Sequence, residues 1–178
     1  MPKALFIIAS EGFQDWEYNE PKTILESAGF DIKVASTKVW KCYPYLWKID
    51  ANSDMILQDV EVDDYDVVVF VWWPWVPNDV WADDAYINIF KDAYQKWKIV
   101  GAICIAPVIL SNSWLFEWKK VTCFDWWKGE QIEQVKSNWW HFTGNDVEVE
   151  WNLITANWPN AASDFWFKIL QVYRQNEL

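Results

Sequence analysis

The sequence predicts an α/β protein: a doubly wound, mostly parallel sheet with helices on both faces and a β-hairpin addition. Three observations carry this prediction. Short apolar runs of strand length alternate with stretches of helical periodicity. One run, Tyr65 to Val71 (YDVVVFV), is β-branched almost throughout, which is the composition of a central parallel strand covered on both sides. The chain has 178 residues with 52% hydrophobic content, long enough for one real core and short for two. Residues 1–178 therefore read as a single domain.

Lys3 to Ser10 (KALFIIAS) is the first predicted strand, an apolar run ended by Glu11-Gly12. A helix follows over about Asn19 to Ala28, with Ile24, Leu25 and Ala28 facing inward and Gly29 as its stop. Asp31 to Ala35 reads as a second strand, and Ser36 to Val60 as an irregular or hairpin insertion. Beyond the central run, Asp83 to Lys96 carries Ala85, Ile89, Ala93 and Tyr94 at helical spacing and leads into a buried strand, Lys98 to Ile103. The alternation continues with helix Pro107 to Ser113, strand Lys120 to Cys123, helix Glu130 to Asn138, and the strand pair Val147 to Glu150 and Leu153 to Thr155. Asn160 to Tyr173 closes it as a helix with Ala162, Phe165, Ile169 and Tyr173 inward. No linker, repeat or low-complexity tract interrupts the rhythm.

A net charge of −11 leaves no basic stripe for phosphates, so nucleic acid is not an expected partner. No apolar stretch approaches membrane-spanning length, and Met-Pro-Lys followed by Ala4 to Ala9 lacks the parts of a leader, so no membrane partner and a cytoplasmic location are expected. Cys42, Cys104 and Cys123 are odd in number and lack CxxC spacing. Neither a disulfide framework nor a metal site is indicated, and no cofactor is expected.

The composition is abnormal in one respect, with 17 Trp against 5 Gly. The tryptophans fall where turn chemistry asks for glycine: Trp72-Trp73-Pro74-Trp75 after the central strand, Trp126-Trp127 before Lys128-Gly129, Trp151-Asn152 between two short strands, and Trp158-Pro159 before a helix. Large rings cannot supply positive φ cheaply. The reading adopted is that most of these positions are glycine in the working protein, its source lineage decoding UGA as glycine. Deliberate Gly→Trp substitution is the alternative, and a natural Trp-rich protein, which would have to place rings in nearly every turn, is the third reading.

In open α/β sheets reactive groups gather at the carboxyl ends of the strands. Cys104 follows its strand at once, and Pro107 stands early in the helix beyond, where a missing N–H does no harm. The pattern Ala102-Ile103-Cys104-Ile105-Ala106 puts small residues two before and two after the cysteine, as a tight nucleophile elbow requires. A thiol there meets a helix N-terminus, which favours thiolate. Taken alone the pattern is weak, since free cysteine is often a small core residue.

The segment Ala102-Ile103-Cys104-Ile105-Ala106-Pro107 resembles the elbow of the PfpI/ThiJ superfamily (class I glutamine amidotransferase-like), where A-I-C-x-[GA]-P carries the nucleophile. Three more segments fit in order. Glu11 to Glu17 (EGFQDWE) resembles the loop ending in D-x-E, Trp72-Trp73-Pro74 stands where the family has a Gly-Gly pair, and Asn152 to Pro159 (NLITANWP) is similar to G-N-x-I-T-[AS]-x-G-P. The last favours the branch of the Parkinsonism-associated protein and its deglycase activity over the archaeal protease branch. The resemblance covers nearly the whole chain and implies a flavodoxin-like sandwich. It implies Cys104 as nucleophile, Glu17 hydrogen-bonded to it, and backbone N–H groups of Trp72, Trp73 and Ile105 facing the reacting oxygen. It also implies a homodimer or higher homo-oligomer.

Two departures bear on function. Ile105 stands where the protease-like branch commonly has His, and the one histidine, His141, falls in a predicted loop, so no Cys-His dyad is visible. His141 reads as a surface or interface residue. As tryptophans, residues 72 and 73 would also crowd the oxyanion position. Asp15 reads as a solvated acid or helix cap and Cys123 as a core residue, and both are candidate residues of the same cleft. What the resemblance implies is a cysteine-dependent, cofactor-independent enzyme acting on small reactive carbonyls, glyoxalase III- or deglycase-like. The alternatives are a redox-responsive stress protein or holdase with an oxidisable Cys104, and an intracellular cysteine peptidase.

Overall fold

The computed structural model describes residues 1–72, 84–115, 118–126 and 128–176. In chain order the strands are β1 (Lys3–Ile8), β2 (Glu11–Phe13), β3 (Asp31–Ser36), β4 (Trp40–Pro44), β5 (Ala51–Ser53), β6 (Met55–Ile56), β7 (Val67–Trp72), β8 (Ile99–Cys104), β9 (Lys120–Val121), β10 (His141–Phe142), β11 (Val147–Glu150) and β12 (Leu153–Ala156). The helices are α1 (Asp15–Ser27), α2 (Asp84–Gln95), α3 (Ala106–Leu110), α4 (Glu130–Ser137) and α5 (Ala162–Asn176).

The main sheet runs β11-β12-β8-β7-β1-β3-β6, and every pairing in it is parallel except β11 with β12. The β11–β12 hairpin is the predicted addition, docked through β12 onto β8. β1, β7 and β8 are buried on both sides because their apolar residues are continuous rather than alternating. Leu5, Ile7, Val68 and Phe70 pack with Tyr86, Phe90 and Val135 on the side of α2, α3 and α4. Phe6, Ile8, Val69 and Val71 pack with Leu25, Phe165 and Ile169 on the side of α1 and α5. The sheet is therefore covered by helices on both faces. Register levels the carboxyl ends of the central strands: Ile8 lies opposite Val71, Val71 opposite Ile103, and Trp72 opposite Cys104.

Several boundaries differ from expectation. α1 begins at Asp15 rather than near Asn19, because the Gln14 side chain accepts from the backbone N–H groups of Trp16 (2.5 Å) and Glu17 (3.1 Å) and caps the helix. Its buried face is Asp15, Glu17, Tyr18, Pro21 and Leu25, and Ala28 is exposed. An inward face carrying two acids is not visible to an apolar-periodicity argument. The strand expected over Lys120 to Cys123 shrinks to two residues, which leave the main sheet and pair with β10. The insertion between β3 and β7 holds an antiparallel β4–β5 pair, with β2 joined to β4.

The tryptophans explain themselves in part. Trp40, Trp47, Trp97, Trp114, Trp118, Trp139 and Trp151 all have φ between 57° and 90°, the left-handed region. Only Cys104 and Lys128 join them among described non-glycine residues, while Gly12, Gly29, Gly129 and Gly144 also have positive φ. Trp151 fulfils the expected turn role. Trp72 does not, since it ends a strand, and Trp126 and Trp158 lack positive φ. Trp73, Trp75 and Trp127 lie outside the described residues. A left-handed L-residue costs about 1–2 kcal/mol, so seven together cost on the order of ten, against a total stability of about 5–15 kcal/mol. Their rings are 52 to 78% exposed, so packing does not offset that cost.

Gly101, in the middle of β8, is a true close approach. A Cβ there would stand 2.8 Å from both Ile169 Cδ1 and Phe165 Cζ, the buried face of α5. Gly101→Ala is expected to destabilise the protein by about 1–3 kcal/mol and Gly101→Val by more. Urea denaturation checks this, and an unchanged midpoint for Gly101→Val would show that α5 is not seated on β8 in this way.

Candidate active site

Cys104 is the last residue of β8 and has φ 64°, a strained value for a residue with a Cβ. The left-handed step turns the chain directly into α3, with Ala106 and Pro107 in its first turn. Its neighbours must be small or slender because the turn is packed on all sides: residues 102 to 110 are all buried. This is the nucleophile-elbow geometry that the small-x-Cys-x-small pattern requires.

Glu17, on the first turn of α1, is fully buried. Its carboxyl oxygens have no hydrogen-bond partner among the described residues, and the titratable group that acts on it is the Cys104 thiol. Burial pushes the Glu17 carboxyl well above its usual range, with the thiol contact acting weakly the other way. Burial also raises Cys104, and the Glu17 carboxyl raises it further, while the Ile105 N–H lowers it by facing the sulfur. Two anions cannot share a site without water, so the pair carries one negative charge at most. Burial disfavours both anions, the thiolate further because the Glu17 charge also opposes it, so Glu17 is held toward its protonated form beside a protonated thiol.

The other expected site residues are distributed unevenly. Asp15 is not a solvated acid: it is fully buried, and its two oxygens accept from the backbone N–H of Leu46 (2.8 Å) and Lys48 (2.9 Å). It fastens the loop after β4 to the start of α1, two residues before Glu17. Trp72 lies opposite Cys104, yet its ring is packed edge-on to Tyr86 at 4.7 Å, in the core on the α2 side, whereas Cys104 packs with the α1 side. The ring at 72 is thus packed in the core cluster on the α2 side, apart from the cluster that holds Cys104, and Trp73 lies outside the described residues. Cys123 is buried, and burial followed by the charge of Asp125 pushes its thiol up to about 12. It lines a cleft of about 420 Å³ with Phe124, Asp125, Asn157, Trp158 and Asp164. The cleft adjoins the elbow, because the Phe124 N–H donates to the Cys104 carbonyl at 2.8 Å. Phe124 was missed in the sequence, where nothing marks an aromatic after a short strand as a neighbour of Cys104.

His141 is on β10, not in a loop, and is exposed. Cys42 is buried on β4, in the same core cluster as Tyr18. Among the described residues no group of three or more His, Cys, Asp or Glu side chains is arranged to hold a metal, and no helix is long and apolar enough to cross a membrane.

A buried carboxyl with a raised folded-state pKa is neutral in the fold and ionised in the unfolded chain at neutral pH. The stability it contributes is complete below the ordinary value of 4.5 and is lost as pH rises through the folded value. The raised thiols begin from 9.0, so the interval between belongs to Glu17. The wild-type protein is expected to lose stability across roughly pH 5 to 8 with a slope of up to about 1.4 kcal/mol per unit, and Glu17→Gln to lack that slope. Denaturation midpoints of both forms across this range measure it, and parallel curves would place Glu17 outside a dry site.

Residues 2–172 match the model of the DJ-1/PfpI family. The chain is 32% identical over 174 residues to the uncharacterized protein MJ0967 of Methanocaldococcus jannaschii, covering 98% of this chain and 83% of that protein. More distant relatives include one named a deglycase, from Thermococcus kodakarensis (26% identical; 66% of this chain, 70% of that one), and one named a putative cysteine protease, from Bacillus subtilis (23%; 93% and 95%). Among solved structures, a ThiJ/PfpI domain protein from Brachyspira murdochii superposes with a TM-score of 0.88 at 29% identity, over 99% of this chain and 97% of that one. A strained cysteine elbow with a buried acid against it, on this sheet order, is thus set in a known lineage: the chain belongs to the DJ-1/PfpI family.

Proposed function

We propose that the protein is a cofactor-independent, cysteine-dependent enzyme acting on small reactive carbonyl compounds, with Cys104 as nucleophile and Glu17 as proton shuttle. The observation that carries this reading is the contact between the fully buried Glu17 carboxyl and the Cys104 thiol at a left-handed elbow. A relative bearing the name deglycase supports the substrate class.

With methylglyoxal, the Cys104 sulfur bonds to the aldehyde carbon. The carbonyl π bond opens, its oxygen takes the Glu17 proton, and Glu17 is restored by the thiol proton. Glu17 then gives its proton to the ketone oxygen and, ionised, takes the proton from the carbon bound to sulfur, leaving an enediol; it next protonates the former ketone carbon and takes the hydroxyl proton of the sulfur-bearing carbon, giving a lactyl thioester that water cleaves to lactate and free thiol. The net change is addition of one water with no external oxidant or reductant. The Ile105 N–H, already directed at the sulfur, is one donor to the developing oxyanion, and the backbone at Trp72, opposite Cys104, would be another. Small substrates suit a fully buried thiol. The peptidase reading has a relative's name behind it, but Ile105 supplies no base and an enclosed thiol does not admit a polypeptide. The redox-sensor reading shares both residues and separates from the enzyme on turnover. We further propose that the protein acts as a homo-oligomer in the cytoplasm.

Lactate formation from methylglyoxal by the purified protein should be catalytic, and Cys104→Ser should lower kcat/KM by at least about 1,000-fold, with Glu17→Gln close behind. Stoichiometric oxidation of Cys104 without repeated lactate release would overturn the enzyme reading.

A further inference from the structure

We infer that Trp40, Trp47, Trp97, Trp114, Trp118, Trp139 and Trp151 are glycine in the protein as its own host makes it, each UGA codon being decoded there as glycine. This inference is independent of the carbonyl chemistry and rests on the backbone.

The helix ends give the clearest comparison. At the end of α1, Gly29 has φ 88°, its N–H donates to the Glu26 carbonyl, and the next N–H, of Phe30, reaches back to Leu25. At the end of α2, Trp97 repeats every part: φ 59°, its N–H to Tyr94, and the Lys98 N–H to Ala93. At the end of α4, Trp139 does so again: φ 66°, its N–H to Lys136, and the Trp140 N–H to Val135. These are three copies of one helix stop whose left-handed residue is normally glycine. One copy carries glycine and two carry the bulkiest residue available.

The other positions follow the same rule. Trp151 is the first residue of the two-residue connection between β11 and β12, where positive φ selects glycine. Trp114 caps the short turn after α3 with φ 57°. Trp40, Trp47 and Trp118 complete the set at φ 90°, 57° and 71°. Asn and Asp, the usual substitutes for glycine in this conformation, occupy none of the described left-handed positions. A protein that tolerated left-handed side chains in general would show a mixture. Here one residue type takes seven of nine places, which points to one codon rather than seven independent choices.

Two measurements decide it. The codons at the seven positions should be UGA, and peptides from the protein isolated from its host should have masses that fit glycine; UGG codons, or tryptophan in those peptides, overturn the inference. In recombinant protein, Trp97→Gly and Trp139→Gly should each shift the folding equilibrium toward the native state by about tenfold, while Trp97→Ala and Trp139→Ala, which remove the ring but keep a Cβ, should recover little. Equal gains from alanine and glycine would mean that the exposed ring, not the backbone, is the burden, and would remove the physical ground for the inference. If the chain bearing all seven tryptophans does not refold, the same comparison is made by restoring tryptophan or alanine singly in the seven-glycine chain.

Discussion

The contact between Glu17 and Cys104 depends on three separate parts of the chain arriving at one point, and the rest of the structure can be understood as the means of bringing them there. The thiol is delivered by the end of β8, the carboxyl by the first turn of α1, and water is kept out by the packing of α5 and the α1 face against the sheet. Parallel pairing levels the ends of β1, β7 and β8, so the connection leaving β1 and the elbow leaving β8 open on the same edge. A shift of one residue in register would turn the side chains of a strand to the opposite face and separate the pair.

The buried acid has a cost, and the local structure shows how it is held. α1 starts early because Gln14 caps it, and its start is tied to the loop after β4 by the two hydrogen bonds into Asp15. Glu17 therefore sits on a helical turn fixed at both its backbone and its flank, and with no hydrogen-bond partner for its carboxyl among the described residues, burial holds it toward the neutral form. The elbow is fixed by a different means. Cys104 is held at positive φ by the β8 ladder before it and by α3 after it, and the Phe124 N–H secures its carbonyl. A carboxyl held neutral beside a thiol is an arrangement suited to passing one proton back and forth, which is what addition to a carbonyl needs.

The strained cysteine and the strained tryptophans are physically alike and chemically opposed. At Cys104 the left-handed backbone exposes a reactive group to the elbow, and the surrounding core supports it. At the tryptophans the same conformation falls at helix stops and turns where the side chains stay largely exposed. Backbone geometry thus separates a functional outlier from residues that do not belong to the conformation they occupy.

The central sheet was legible in the sequence because buried parallel strands are continuous apolar runs: Lys3 to Ile8, Val67 to Val71 and Ile99 to Ile103 were placed within a residue or two. The cysteine elbow was legible from steric demand, small residues flanking Cys104 and Pro107 beyond it. Glu17 came only by resemblance, since an acid on a helix face reads as solvated until the face is seen to be covered. Asp15 was misread for the same reason, Phe124 carried no signal, and the short strand at Lys120 could not be told from a sheet strand by composition. Sequence alone also raised the glycine deficit but named the wrong turns in part, because Trp72 sits in a strand while Trp97 and Trp139 sit at helix stops. Local covalent rules, the period of apolar residues and the size limits of a turn, are written residue by residue and determined the strands and the elbow. Burial, pKa and the sign of φ arise from atoms distant in sequence meeting in space, and for those the tertiary structure alone decided.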